Sequence, residues 1–165
     1  MSRSTSVFII MGVSGTGKNT IGELLSKKLD IPFFDGDDFH PEVNIQKMRS
    51  GTPLNDTDRL EWLLALNQLA KEHNTKGAVI ACSALKASYR DILKEGMGEN
   101  LKFIYLQGTF ELVRSRMEKR SGHFMPIHLL KSQFQTLEPP KDAITVSIKD
   151  NPERIMAFIL DKIKN

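Results

Sequence analysis

Apolar residues in this chain fall into short unbroken runs, separated by longer stretches in which they recur every three or four positions. The runs 7–11, 32–34, 78–82, 103–106 and 144–148 read as strands. The periodic stretches 18–29, 41–50, 57–73, 87–96, 109–120, 127–137 and 152–164 read as helices. Asn151-Pro152 marks one helix start clearly, with Asn as N-cap and Pro where its missing N–H costs nothing. Strands that are apolar throughout and alternate with helices predict a parallel sheet covered on both faces, an α/β fold of three layers. Ligands of such folds gather beyond the carboxyl ends of the strands, so the residues that follow each run carry the chemistry.

Beyond the first run comes Gly12-Val13-Ser14-Gly15-Thr16-Gly17-Lys18-Asn19-Thr20, a phosphate-binding P-loop in the pattern G-x-x-x-x-G-K-[ST]. An apolar strand enters it, and a helical pattern with Ile21, Leu24, Leu25 and Leu29 leaves it. Strand, glycine loop and helix N-terminus together make an anion site from free amides and the helix dipole. Gly12, Ser14, Gly15, Thr16, Gly17, Lys18, Asn19 and Thr20 are therefore the expected binding residues for a nucleoside triphosphate. Asn19 stands where a Ser or Thr hydroxyl normally reaches Mg²⁺. Its amide carbonyl can still approach a hard cation, whereas Thr20 points about 100° away around the helix.

After the second run comes Asp35-Gly36-Asp37-Asp38. Asp and Gly are common turn residues, but beside a P-loop two carboxylates across a glycine suit phosphoryl transfer. One orients or deprotonates the attacking hydroxyl, and the other holds the metal or its water. Asp56 or Asp58 is expected to cap the helix over 57–73. Arg59, in its first turn, is unfavourable to the helix dipole and calls for an anionic partner. In 109–123, Phe110, Val113 and Met117 form an apolar stripe. Arg116 and Arg120 share another face with no acid in reach, while Arg114 has Glu118 four residues on. That unpaired couple suits a lid, approximately 116–137, completed by an incoming phosphate.

The remaining bulk properties exclude more than they select. At 165 residues, the chain suits a single domain over 1–165. A net charge of +3 and a pI near 9.0 mildly favour anionic ligands. There is no basic block of the nucleic-acid kind and no stretch long enough to span a bilayer. The single cysteine, Cys82, excludes an intrachain disulfide and fits a reducing compartment, so cytoplasm is expected. Val7–Met11 runs straight into the glycine loop, which argues against a cleaved leader.

These motifs together resemble the gluconokinases, small P-loop kinases akin to shikimate kinase and the nucleoside monophosphate kinases. The likeness is carried by the P-loop, Asp35-Gly36-Asp37, His40-Pro41 with Asn44, Lys47-Met48, Gly51, Pro53-Leu54-Asn55-Asp56, Asp58-Arg59 and Trp62. It continues through Cys82-Ser83-Ala84-Leu85-Lys86, Tyr89-Arg90-Asp91, Gly122-His123-Phe124, Gln133-Phe134 and Thr136-Leu137-Glu138. The resemblance implies transfer of the ATP γ-phosphate to the 6-hydroxyl of D-gluconate, a five-stranded parallel sheet, a mobile lid, Mg²⁺ and a homodimer. Carried onto this chain, Gly15, Gly17 and Lys18 would hold phosphates. Asp35, with Asn19, would hold the metal, and Asp37 would activate the acceptor hydroxyl. Arg59 and Lys86 would meet the sugar acid, with His40, Asn44, Arg90 and His123 nearby. Arg116 and Arg120 would close over the transferring phosphoryl group. Two alternatives share the P-loop: a kinase for shikimate or a nucleotide, and a nucleotide-binding relative that Asn19 has made inactive.

Overall fold

The computed structural model of the protein describes residues 6–119 and 127–164. Five parallel strands, β1 (Val7–Met11), β2 (Phe33–Asp35), β3 (Ala78–Ala81), β4 (Leu101–Gln107) and β5 (Ala143–Ser147), form one sheet in the order β2-β3-β1-β4-β5. The helices are α1 (Lys18–Leu29), α2 (Glu42–Arg49), α3 (Asp56–Glu72), α4 (Ala87–Lys94), α5 (Phe110–Lys119), α6 (Ile127–Thr136) and α7 (Pro152–Lys164). Strand alternation divides the core into two apolar layers, one on each face of the sheet. Ile9, Met11, Ile80, Phe103 and Tyr105 face α3 and α4, packing on Trp62, Leu63, Leu66 and Leu93. Phe8, Ile10, Val79, Ile104 and Val146 face the other way, onto Ile21, Leu25, Val113, Leu130, Ile155 and Ile159. This is the three-layer α/β/α arrangement of P-loop kinases.

Chain order reverses at β1, which pairs with β3 on one side and β4 on the other. The crevice for a ligand opens there, beyond the carboxyl ends of the strands. The strand pairing continues past the sheet proper: Cys82 N–H donates to the Ile10 carbonyl and Gly12 N–H to that of Ser83. That pins the P-loop beside the loop leaving β3.

The boundaries expected from the sequence shift in informative ways. Asp35 is the last residue of β2 rather than the first beyond it, because Asp35 still pairs with Ala81. A 3-10 turn over Gly36–Phe39 follows, capped by Asp35. The cap of α3 is Asn55, not Asp56 or Asp58. Asn55 Oδ1 accepts from Asp58 N–H at 2.8 Å, and Asp58 Oδ2 accepts from Asn55 N–H at 3.0 Å, a reciprocal capping box. Asp58 is thereby the third helical residue. Asn151 does cap α7, accepting from Arg154 N–H at 2.9 Å. Helix α4 ends at Lys94, just before Gly96 with φ +79°.

Gly36 allows the close approach that sets both aspartates. A Cβ at this position would collide with the Ala81 carbonyl oxygen, a backbone atom that the β2–β3 pairing holds in place. The Gly36 carbonyl also accepts the Trp62 indole N–H at 2.8 Å. Gly36→Ala should therefore destabilise the fold by about 1–3 kcal/mol, the usual cost of overpacking. A lower urea midpoint at unchanged m-value would register it.

Candidate active site

Helix α1 leaves the P-loop without a side-chain cap on its first turn. Gly17, in the left-handed region at φ 92°, caps α1 with backbone alone, and no acid lies in the helix's first turn. The contrast with the capping box of α3 is direct: α1 keeps free amides where an anion would bind. Thr16 is buried and donates from Oγ1 to the Val13 carbonyl at 2.9 Å, so it braces the loop from inside. Lys18 Nζ donates to the Gly12 and Val13 carbonyls, each at 3.0 Å. Burial lowers its pKa, against the opposing pull chiefly of Asp37. Asn19 and Thr20 are exposed on the first turn of α1.

A crevice of about 330 Å³ runs from this loop past both aspartates to Arg59 and Trp62. Ser14, Lys18, Asn19, Asp35, Asp37, His40 and Arg59 all line it, with Gln133 from α6. Asp37 leaves four-fifths of its side chain exposed to that space. The crevice walls raise its pKa first, and the neighbouring Asp35 charge adds to the effect, while Lys18 opposes both. A carboxylate tuned upward in this way is a better proton acceptor for a sugar hydroxyl. Cys82 also lines the crevice, but burial pushes its thiol up to about 12, so it stays neutral.

Both oxygens of Asp35 are engaged: Oδ1 accepts from Asp37 N–H at 3.0 Å, and Oδ2 accepts from Asn19 Nδ2 at 2.8 Å. Asn19 therefore turns its amide nitrogen, not its carbonyl, toward the carboxylate, since a carboxylate only accepts. Its Oδ1 is left as the remaining acceptor. Among the described residues no cage of three His, Cys, Asp or Glu side chains forms. One carboxylate plus an amide oxygen beside a phosphate loop fits a hydrated Mg²⁺, which keeps most of its waters and shares phosphate oxygens.

The wall around His40 and Trp62 is an interlocked polar layer. His40 stacks on Trp62 at 4.1 Å. Asn44 is wholly buried and donates from Nδ2 to the Asp58 carbonyl at 2.8 Å and toward His40 Nδ1 at 3.2 Å. The Asp58 carbonyl fixes the amide orientation, so His40 Nδ1 accepts and Nε2 carries the proton. Nε2 lies 3.9 Å from Asp37 Oδ1. Asp58 pairs through both oxygens with Lys47 Nζ at 2.9 Å.

Tyr89 organises the cations. Its hydroxyl donates to Asp56 and accepts from Arg59 at 2.9 Å. Arg59 and Lys86 lie over its ring at 5.4 and 5.6 Å. Lys86 pairs with Asp56 at 3.1 Å, whereas Arg59 has no ion pair among the described residues. Arg59 thus still lacks the anionic partner that its place on the helix calls for.

Other expected residues sit elsewhere. Arg90 is buried and donates to the Ala84 and Glu138 carbonyls at 2.7 Å each, holding loops rather than lining the crevice. Lys86 and Asn44 stand behind the crevice lining. Arg116 donates to the Ile148 carbonyl, while Arg114 pairs with Glu118 at 3.1 Å as its spacing predicts. Arg120, His123 and the Gly122-His123-Phe124 segment lie outside the described residues. Gln133, Trp62, Tyr89 and Asp56 gain places in the site that the sequence had not assigned them. The one local hint for Gln133 was a polar side chain between Leu130 and Phe134 on the inner side of a helix.

His40 carries a pH signature. Burial first, then the charge of Arg59, lowers its pKa from 6.5 to about 4. The unfolded chain binds this proton first, so the stability His40 provides is full above pH 6.5. It is lost as pH falls through 4, by up to about 3 kcal/mol. Asp37, with its raised pKa, works in the opposite sense. Urea midpoints measured from pH 7 to 4 should fall less steeply for His40→Gln than for the unaltered chain.

Comparisons with known proteins agree with this fold. The sequence model of the shikimate kinase family matches residues 14–162. The chain is 44% identical over 164 residues to the thermoresistant gluconokinase of Escherichia coli K12, covering 96% of this chain and 93% of that one. It is 50% identical over 138 residues to the thermosensitive gluconokinase of the same organism, covering 81% and 72%. A crystal structure of a gluconokinase from Sinorhizobium meliloti superposes with a TM-score of 0.90 at 38% identity, over 99% of this chain and 94% of that one. The chain belongs to the gluconokinase family of shikimate-kinase-like P-loop kinases.

Proposed function

We propose that this protein phosphorylates the 6-hydroxyl of D-gluconate at the expense of ATP. The observation that carries the acceptor assignment is Arg59: a crevice cation held by a tyrosine hydroxyl, with no ion pair of its own among the described residues. A sugar acid supplies the carboxylate such a cation takes, and its hydroxyls suit the polar wall around His40 and Asp37. The relatives named gluconokinase support the same acceptor.

Each residue's part follows from its position. Free amides of α1 and the P-loop cradle the phosphates, and Lys18 swings from the loop carbonyls to the outer phosphate oxygens. Asp37 accepts the hydroxyl proton and aligns the attacking oxygen. Asn19 and Asp35 would hold Mg²⁺ through its waters, and the ion, when bound, neutralises charge on the β and γ phosphates. His40, neutral with its proton on Nε2, offers a hydrogen-bond donor beside Asp37. Arg116 and Arg120 belong to the lid of this reading, over about 116–137. Arg116 would leave the Ile148 carbonyl to reach the transferring phosphoryl group. A cytoplasmic, homodimeric enzyme is the form that the family resemblance implies. Among the described residues no helix is long and apolar enough to cross a membrane.

Two measurements test this reading. ADP release in ATP and Mg²⁺ should rise well above background with D-gluconate and stay at background with shikimate. Lys18→Met should lower the gluconate-dependent rate at least about a hundredfold at unchanged melting temperature. Equal release with both acids would transfer the assignment to another acceptor. Separately, Asn19→Ser restores a hydroxyl at the metal position and frees one Asp35 oxygen. It should lower the Mg²⁺ concentration for half-maximal rate, and an unchanged Mg²⁺ curve would make Asn19 a neutral variant.

A further inference from the structure

Ser14, inside the P-loop, donates its backbone N–H to the side-chain oxygen of Gln133 at 2.7 Å, across 119 positions of sequence. Gln133 sits on α6, and its side chain lines the same crevice as Lys18, Asp35 and Asp37. Backbone amides of such a loop are donors for phosphate oxygens, and a carboxamide oxygen is a neutral acceptor of similar geometry. Lys18 is satisfied internally as well, by the Gly12 and Val13 carbonyls. In this conformation the protein itself occupies donors that a triphosphate would use.

We propose that Gln133 is an internal competitor for the nucleotide: its carboxamide latches α6 onto the P-loop and is exchanged for a phosphate oxygen when ATP binds. The latch is stiffly mounted. Leu130 is buried in the core and Phe134 meets Phe110 edge-on at 5.6 Å, so α6 is anchored on either side of Gln133. Five residues on, Glu138 N–H donates to the Leu85 carbonyl at 2.7 Å, and its side chain accepts from Ala87 N–H at 2.8 Å. Its carbonyl takes Arg90. One short segment thus grips the phosphate loop at Gln133 and the loop carrying Lys86 at Glu138.

The latch rests on nucleotide binding at the P-loop and not on the acceptor's identity, so its test contains no acceptor. The dissociation constant of a non-hydrolysable ATP analogue with Mg²⁺ is measured by calorimetry on the full chain. A ligand that must first break a contact binds with its intrinsic affinity scaled down to the open, binding-competent fraction. Gln133→Ala should therefore tighten binding about two- to tenfold, the worth of one net hydrogen bond. Gln133→Met keeps the side chain's length without the acceptor oxygen. It should repeat the gain, and it decides the question if the alanine variant folds poorly. Gln133→Glu should weaken binding, because a carboxylate holds the Ser14 amide more strongly and repels phosphate. Unchanged affinity in both the alanine and methionine variants overturns the latch. Weaker binding in them also overturns it, by making Gln133 a direct phosphate ligand.

Discussion

Parallel pairing of β1 with strands on both sides is the constraint from which the site follows. With β3 and β4 each bonded to it, β1 cannot continue into either neighbour's connection, and its carboxyl end opens onto a crevice. The ladder bonds at Gly12 and Cys82 then hold the phosphate loop against the loop leaving β3. Gly17 begins α1 without a side-chain cap, so the amides that the helix leaves unpaired face the same opening. Phosphate recognition here is a property of backbone placement before any side chain acts.

The acceptor wall works by the opposite means, with nearly every polar group already spoken for. Asn55 and Asp58 cap each other, Asp58 takes Lys47, and its carbonyl takes Asn44, which sets the tautomer of His40. Tyr89 ties Asp56 to Arg59 and stands between Arg59 and Lys86. Removing Asn44 would leave the buried His40 Nδ1 and the Asp58 carbonyl without their donor, which costs more than the bonds themselves contributed. Rigidity on this side places Arg59 and Asp37 at fixed points of one crevice. The exception is Asn44 Oδ1, buried without a hydrogen-bond partner among the described residues.

Backbone order was largely legible in the sequence because apolar periodicity and local caps encode it directly. The runs that became β1 and β3–β5, the P-loop and the Asn151 cap are all local signals. Asp35 was read as lying beyond its strand because an acidic residue ends an apolar run, yet pairing with Ala81 carries the strand one residue further. Asn55 takes the cap expected at Asp56 or Asp58, because Asn and Asp are near-equal cap formers. Side-chain destinations were less legible. Arg90 reads as a surface cation on α4 but turns inward to two carbonyls. Asn19 invites a metal-ligand reading through its carbonyl, but nothing in the sequence shows that its amide nitrogen meets Asp35. The Ser14–Gln133 bond joins residues 119 positions apart, and no window of sequence contains both.

Trp62 is the chain's one tryptophan, and it forms part of the crevice lining with its indole N–H fixed on Gly36 and its ring face against His40. Gly36 separates the two aspartates, and His40 takes up its proton only near pH 4. The protein's tryptophan fluorescence therefore originates at a single point, in the crevice that Asp37 and His40 also line. Excited at the red edge of its absorption, where Tyr89 and Tyr105 contribute little, Trp62 reports on that side of the crevice with no label.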